Sequence, residues 1–162
     1  MVNMEKIKVS DNVFTSEQQS GILDYCLNCE YTFGERDNTN TPPTGMIHEI
    51  RNESPLYQLF VDKIRISVPM IEKMSLYRMY INCFPPSEQA YFHTDGEGIT
   101  FLYYPQDGWK LDDGGETQFY VDGNLYGIVP ESNRMVMFDA RLQHRATPFR
   151  DRHRFTVAIK YQ

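Results

Sequence analysis

What this chain lacks already removes several classes. It has three cysteines, an odd number for a disulfide framework. Cys26 and Cys29 form a single CxxC pair. No second pair exists to close a zinc site, and the pair falls inside an expected helix rather than just after a strand. All three cysteines, Cys83 included, therefore read as ordinary reduced thiols. No uninterrupted apolar run approaches the roughly 18 residues of a membrane helix. The opening residues, MVNMEKIKVSDN, carry no apolar core of a signal peptide, so the expected location is cytoplasmic with no membrane partner. An excess of positive charge is also missing. The net charge is −6, which counts against a protein that coats nucleic acid by bulk attraction. Ten glycines and nine prolines in 162 residues exclude collagen-like and low-complexity chains, and no internal repeat is visible.

What remains is one ordinary domain with eleven tyrosines and ten phenylalanines, residue types that suit strands and pocket walls. Its charge is uneven. Arg134 to Arg154 contains six Arg and two Asp; Asp107 to Glu116 contains four acids and one Lys. The plain reading is two solvated loops. The other is a local well of positive potential for an anionic ligand.

The chain divides into a helical front, 1–73, and a strand-rich back, 74–162. Lys6 to Phe14 reads as a short strand. Thr15 or Ser16 can cap a helix over 17–29, with Ile22, Leu23, Cys26 and Leu27 on one face. Tyr31 to Thr44 reads as a polar loop, either a lid or a linker. Ser54-Pro55 is a cap followed by Pro in the first turn, and a second helix with Leu56, Leu59, Phe60, Lys63 and Ile64 ends before Pro69. Six strands are expected after that: Met74–Phe84, Ile99–Tyr104, Thr117–Val121, Leu125–Val129, Met135–Phe138 and Phe155–Tyr161. Gly-, Pro- and Asp-rich turns separate them. The expected fold class is mainly β with N-terminal helices, its core a double-stranded β-helix (a cupin-like jelly roll).

His93-Thr94-Asp95 and His144 are the most informative residues. In an extended segment, positions i and i+2 share a face, so His93 and Asp95 project together. His144 follows His93 by 51 residues, room for a hairpin and a return. Two imidazoles and one carboxylate on one side of an ion form the facial triad of non-haem Fe(II) oxygenases, which leaves positions open for other ligands. By ligand type alone, zinc with two His, an Asp and water stays open too. Arg152, Arg154 and Thr156 alternate onto one face of the last strand. An Arg there could grip a carboxylate with its two-pronged donor set, or simply pair with Asp151. Trp109 and Gly114-Gly115 read as turn residues, and Arg134 as structural.

In order along the chain come HTD at 93–95, TFLYYPQDGW at 100–109, GGETQF at 114–119, NRMVMFD at 133–139, HRATP at 144–148 and RHRFTVAIKY at 152–161. With these pieces the chain resembles the 2-oxoglutarate- and Fe(II)-dependent dioxygenases, especially their prolyl-hydroxylase-like branch. The likeness runs from Leu76 to Tyr161. It implies His93, Asp95 and His144 as catalytic iron ligands, with Tyr104 helping to hold the cosubstrate's distal carboxylate. The basic anchor that it implies is Arg152, by a basic-x-x-x-Thr pattern with Thr156, or Arg154, by its ten-residue spacing from His144; the pattern leans to Arg152. The stretch INCFPPSEQAYFHTD is also similar to AlkB-type nucleic-acid demethylases, which implies a cosubstrate contact for Asn82, with Tyr80 on the same face. Phe84 departs from the Tyr those enzymes carry.

The cofactors so implied are Fe(II), 2-oxoglutarate and dioxygen, with ascorbate as a reductant. The implied partner is a peptide or protein hydroxylated on proline. Oxidation of nucleic acid or of a small molecule, and a non-catalytic jelly-roll metal-binding module, are the alternatives.

Overall fold

The computed structural model describes residues 7–162. Lys6, the expected start of the first strand, lies outside the described residues. Strand β1 runs over Ile7–Ser10. Helix α1, Ser16–Asn28, begins in a capping box: Thr15 Oγ1 accepts from the Gln18 N–H while the Gln18 side chain accepts from the Thr15 N–H. Helix α2, Pro55–Ser67, starts as expected, with Ser54 accepting from the Leu56 N–H and Pro55 in the first turn.

Each helix buries one stripe. In α2 the stripe is Leu56, Phe60, Val61 and Ile64. In α1 only Ile22 and Cys26 are buried, whereas Leu27, expected on that face, is 60% exposed. The buried stripe of α1 is therefore narrower than its sequence suggests.

Among the described residues ten strands pair, every pair antiparallel. After β1 come β2 (Thr32–Phe33), β3 (Met46–Glu49), β4 (Leu76–Phe84), β5 (Ile99–Tyr104), β6 (Thr117–Val121), β7 (Asn124–Ile128), β8 (Arg134–Asp139), β9 (Gln143–Ala146) and β10 (Arg154–Tyr161). A major sheet has the order β1-β8-β5-β10-β4-β3-β2, and a minor sheet the order β7-β6-β9. This is the expected jelly roll. The strands β2, β3 and β9 have two to four residues each, too few to show a period, and the sequence does not announce them.

The major sheet is covered on both faces, and alternation assigns each side chain. On β10, Phe155, Val157, Ile159 and Tyr161 join Met79, Ile81 and Cys83 of β4 and Phe101 and Tyr103 of β5 against the helices. Phe14, Phe60 and Tyr103 meet there edge to face, with ring centroids 5.1 to 5.4 Å apart. The opposite face presents Tyr80, Leu102, Tyr104 and Ala158 to Phe119 of the minor sheet and Phe138 of β8. All eight residues of β10 are buried in consequence. Polar side chains at its even-numbered positions, Arg154, Thr156 and Lys160, are therefore held between the two sheets.

Candidate metal centre

Backbone pairing brings two distant stretches together. The His93 N–H donates to the His144 carbonyl at 3.0 Å, and the His144 N–H returns the bond to His93 at 2.9 Å. The Asp95 N–H donates to the Ala140 carbonyl at 2.8 Å and ties the HTD segment to the turn after β8. The two imidazole centroids are then 4.4 Å apart. One donor atom from each of His93, Asp95 and His144 lies within 4.8 Å of the other two.

The histidine tautomers follow from their partners. His93 Nδ1 faces the Tyr91 carbonyl at 3.0 Å, and His144 Nδ1 faces the Leu142 carbonyl at 2.9 Å. A carbonyl only accepts, so each Nδ1 carries the proton and each Nε2 keeps its lone pair. Both Nε2 atoms point at Asp95, at 3.8 Å from His93 to Oδ1 and 3.5 Å from His144 to Oδ2. Burial lowers the His144 pKa to about 4 despite the nearby Asp95, so the ring is neutral at physiological pH. Two imidazoles that turn their Nε2 atoms toward one carboxylate suit a divalent transition metal.

Asp95 is buried, which alone would raise its pKa. His144 and Lys160, with hydrogen bonds from Lys160 and Thr100, outweigh that and lower it. Lys160 Nζ donates to Oδ1 and Thr100 Oγ1 to Oδ2, both at 2.7 Å. Burial works against the Lys160 ammonium, but Tyr80 and Asp95 outweigh it and raise its pKa. Neither Lys160 nor Thr100 is in the set of ligands and anchors expected from sequence. The signal for Lys160 was present, since it shares the strand face of Arg154, Thr156 and Ala158.

The triad opens into a cavity of about 230 Å³ between the sheets. Tyr80, Asn82 and Phe84 from β4, Leu102 from β5, Thr117 from β6, and Arg154, Thr156, Ala158 and Lys160 from β10 line it. Glu35, Arg36, Asp37 and Thr44, all from the polar segment before β3, complete the wall. Arg154 is 2% exposed; its Nε donates to the Gly115 carbonyl at 2.8 Å and its Nη2 to Thr117 Oγ1 at 2.9 Å. It makes no salt bridge among the described residues, and burial lowers its pKa. Gly115 has φ +86°, and an added Cβ would collide with the Phe149 ring, so only glycine presents that carbonyl to Arg154.

The structure separates the two candidate anchors. Strand β10 begins at Arg154, so Arg152 lies before it and off its alternation. Arg152 is not part of the cavity wall: Nη2 donates to Asp113 at 3.0 Å, and the guanidinium stacks over Phe149 at 4.6 Å. Of the two candidates, then, Arg154 lines the cavity and Arg152 does not; the basic-x-x-x-Thr pattern took no account of where the strand starts. Tyr104 is buried behind the wall, donating to Thr117 Oγ1 at 2.7 Å. His48 stands apart with both ring nitrogens engaged, by Tyr25 and the Glu30 carbonyl. The cysteines are free, and burial raises all three thiol pKa values, Cys83 to about 11. Trp109 donates to the Gly114 carbonyl, and Arg134 pairs with Asp11, both as structural elements.

The family model described as 2OG-Fe(II) oxygenase superfamily matches residues 79–161, just over half of the chain. A comparison with curated proteins finds no match. Among solved structures, the chain is similar to a prolyl-4-hydroxylase of Pseudomonas putida, at 16% identity and a TM-score of 0.81, over 97% of this chain and 92% of that one. It is similar to a prolyl hydroxylase of Trichoplax adhaerens in complex with a hypoxia inducible factor peptide fragment, at 17% identity and a TM-score of 0.75, over 98% and 84%. HygX of Streptomyces hygroscopicus, solved with nickel and 2-oxoglutarate, matches at 12% identity and a TM-score of 0.74, over 96% and 82%. At such identities the likeness to these structures shows the fold alone. No helix among the described residues is long and apolar enough to cross a membrane.

Proposed function

The chain belongs to the 2OG-Fe(II) oxygenase superfamily, and from that premise we propose that it hydroxylates prolyl residues in a peptide or protein. His93, Asp95 and His144 would hold the ferrous ion. Bound there, the ion would supply, with 2-oxoglutarate and dioxygen, the chemistry of oxidative decarboxylation: one atom of O2 ends in succinate, the other in the hydroxylated substrate, and carbon dioxide leaves.

The chain's own residues do the positioning. Arg154 offers its guanidinium to the distal carboxylate of 2-oxoglutarate, and Thr156 stands one strand step away on the same face. Thr117, which accepts from both Arg154 and Tyr104, fixes the guanidinium plane, so Tyr104 acts through it. Asn82 and Tyr80 form the β4 side of the same chamber. Leu102, Phe84 and Ala158 keep that chamber dry, which strengthens each charged contact inside it. Ascorbate is the proposed reductant that keeps the iron ferrous.

The observation that carries the reading is Arg154, a fully buried guanidinium in the same cavity as the triad, whose hydrogen-bond partners are neutral and on which Glu116 acts only at longer range. A lone buried cation is costly unless an anion meets it. A structural metal site needs the three ligands and no such cation. The prolyl assignment draws on the sequence motifs and on prolyl hydroxylases among the similar folds. Incubation with Fe(II), 2-oxoglutarate and proline-rich peptides should add one oxygen atom to proline, with succinate formed in step. Succinate formed only with methylated bases or with a small molecule would keep the oxygenase and overturn the prolyl assignment.

A further inference from the structure

The segment between β2 and β3 holds on to the stretch that carries His93. Three consecutive residues of the HTD approach are gripped from it. Asp37 Oδ2 accepts from the Tyr91 N–H at 2.8 Å, Asn38 Nδ2 donates to the Phe92 carbonyl at 2.9 Å, and Asp37 Oδ1 lies 3.3 Å from His93 Nδ1. Thr44 Oγ1 donates to Asp37 Oδ2 at 2.8 Å, so both ends of the segment meet at this carboxylate. The Asp37 side chain is 12% exposed. No Lys or Arg pairs with it among the described residues, and the ring N–H of His93 is the polar group that its Oδ1 faces.

The two histidines therefore differ. His144 Nδ1–H has a backbone carbonyl alone. His93 Nδ1–H donates to a backbone carbonyl and in addition has a carboxylate oxygen 3.3 Å away. A carboxylate at the far nitrogen of a metal-bound imidazole fixes the ring and makes it a stronger donor, and losing such a partner commonly costs 10- to 100-fold in metal affinity. We propose that Asp37 is a positioning residue for His93, through which ordering of residues 34–45 and metal binding reinforce each other. By linkage, the metal must steady the segment as much as the segment steadies the metal. The proposal rests on His93 being a metal ligand, as in the reading above.

Metal affinity, measured with Co(II) under anaerobic conditions, provides the test without any turnover. In Asp37→Asn an amide oxygen remains for the Tyr91 N–H while the charge facing His93 is gone. Affinity should fall about 10- to 100-fold, and the visible Co(II) spectrum should shift. Asn38→Ala loosens the same segment without touching His93, and affinity should fall less than about 3-fold. Co(II) should also slow proteolysis within residues 34–45 in the wild type, and much less so in Asp37→Asn. Equal affinity in Asp37→Asn and the wild type overturns the proposal. An equal loss in Asn38→Ala also overturns it, because segment order rather than the carboxylate would then be responsible. If the wild type binds Co(II) no better than His144→Ala does, the metal-centre reading itself fails, and this inference with it.

Discussion

Replacing Arg154 by Met removes a guanidinium that makes no salt bridge among the described residues and that Glu116 offsets only at longer range. Two effects oppose each other in the ligand-free protein. Loss of an uncompensated buried charge stabilises, because well-packed apolar replacements of buried ionic groups are neutral or favourable by about 1–4 kcal/mol. Loss of the donor to the Gly115 carbonyl orphans a buried acceptor and costs about 1–3 kcal/mol. The two nearly cancel, so the melting temperature should move by less than about 4 °C, at roughly 2–4 °C per kcal/mol for a domain of this size. Binding of 2-oxoglutarate has no such compensation. Truncating one member of a buried hydrogen-bonded charge pair costs about 2–5 kcal/mol, or roughly 30-fold and upward in affinity. Calorimetric titration of 2-oxoglutarate into the Mn(II)-loaded protein, beside a thermal melt, reads both quantities. Arg152→Met, which removes a half-buried pair with Asp113 outside the cavity, should change affinity less than about 3-fold. Unchanged affinity in Arg154→Met, or a collapse of its melting temperature, would refute the assignment of Arg154 as an anion anchor held in reserve.

Three further outcomes are expected. Burial holds His144 near pKa 4 against an ordinary 6.5, so the unfolded chain takes up a proton that the folded chain refuses between those values. Metal-free stability should therefore fall as pH drops from about 6.5 to about 4, by as much as about 3 kcal/mol. Urea unfolding at several pH values checks this, and a slope unchanged in His144→Gln would contradict it. Lys160→Met leaves the Asp95 carboxylate buried without its cation and should destabilise the metal-free protein by about 3 kcal/mol. Mn(II) should restore most of that loss in a thermal melt, whereas an equal loss with and without Mn(II) would mean that Lys160 only packs. Gly115→Ala forces a side chain into the Phe149 ring at φ +86° and displaces the carbonyl that holds Arg154. Its affinity for 2-oxoglutarate should drop at least about 5-fold; a variant with normal affinity would show that this carbonyl does not place the guanidinium.

Much of the core was legible because its strands alternate. Ile99–Tyr104 and Thr117–Val121 lie where the pattern puts them, and the His-x-Asp spacing with a distant His led to the three side chains that the structure gathers. Local patterns fail where placement depends on chain ends or distant partners. Arg152 shares a two-residue spacing with Arg154, but alternation applies only inside a strand, and β10 starts between them. Strand β9 has four residues and owes its position to β6 and to the His93–His144 pairing. Lys160 was readable as a cavity residue once β10 was placed, whereas its partner, Asp95, lies 65 positions away. The role of Asp37 has no local signal at all, since a lone Asp in a polar loop looks like any turn residue until His93 is folded against it.

Anaerobic titration of the protein with Fe(II) in the presence of 2-oxoglutarate tests the central claim most directly. One equivalent of iron should bring up a weak visible charge-transfer band that His144→Ala and Asp95→Ala each abolish. A wild-type protein that gives no band, or variants that keep it, would contradict a shared ferrous site built from His93, Asp95 and His144.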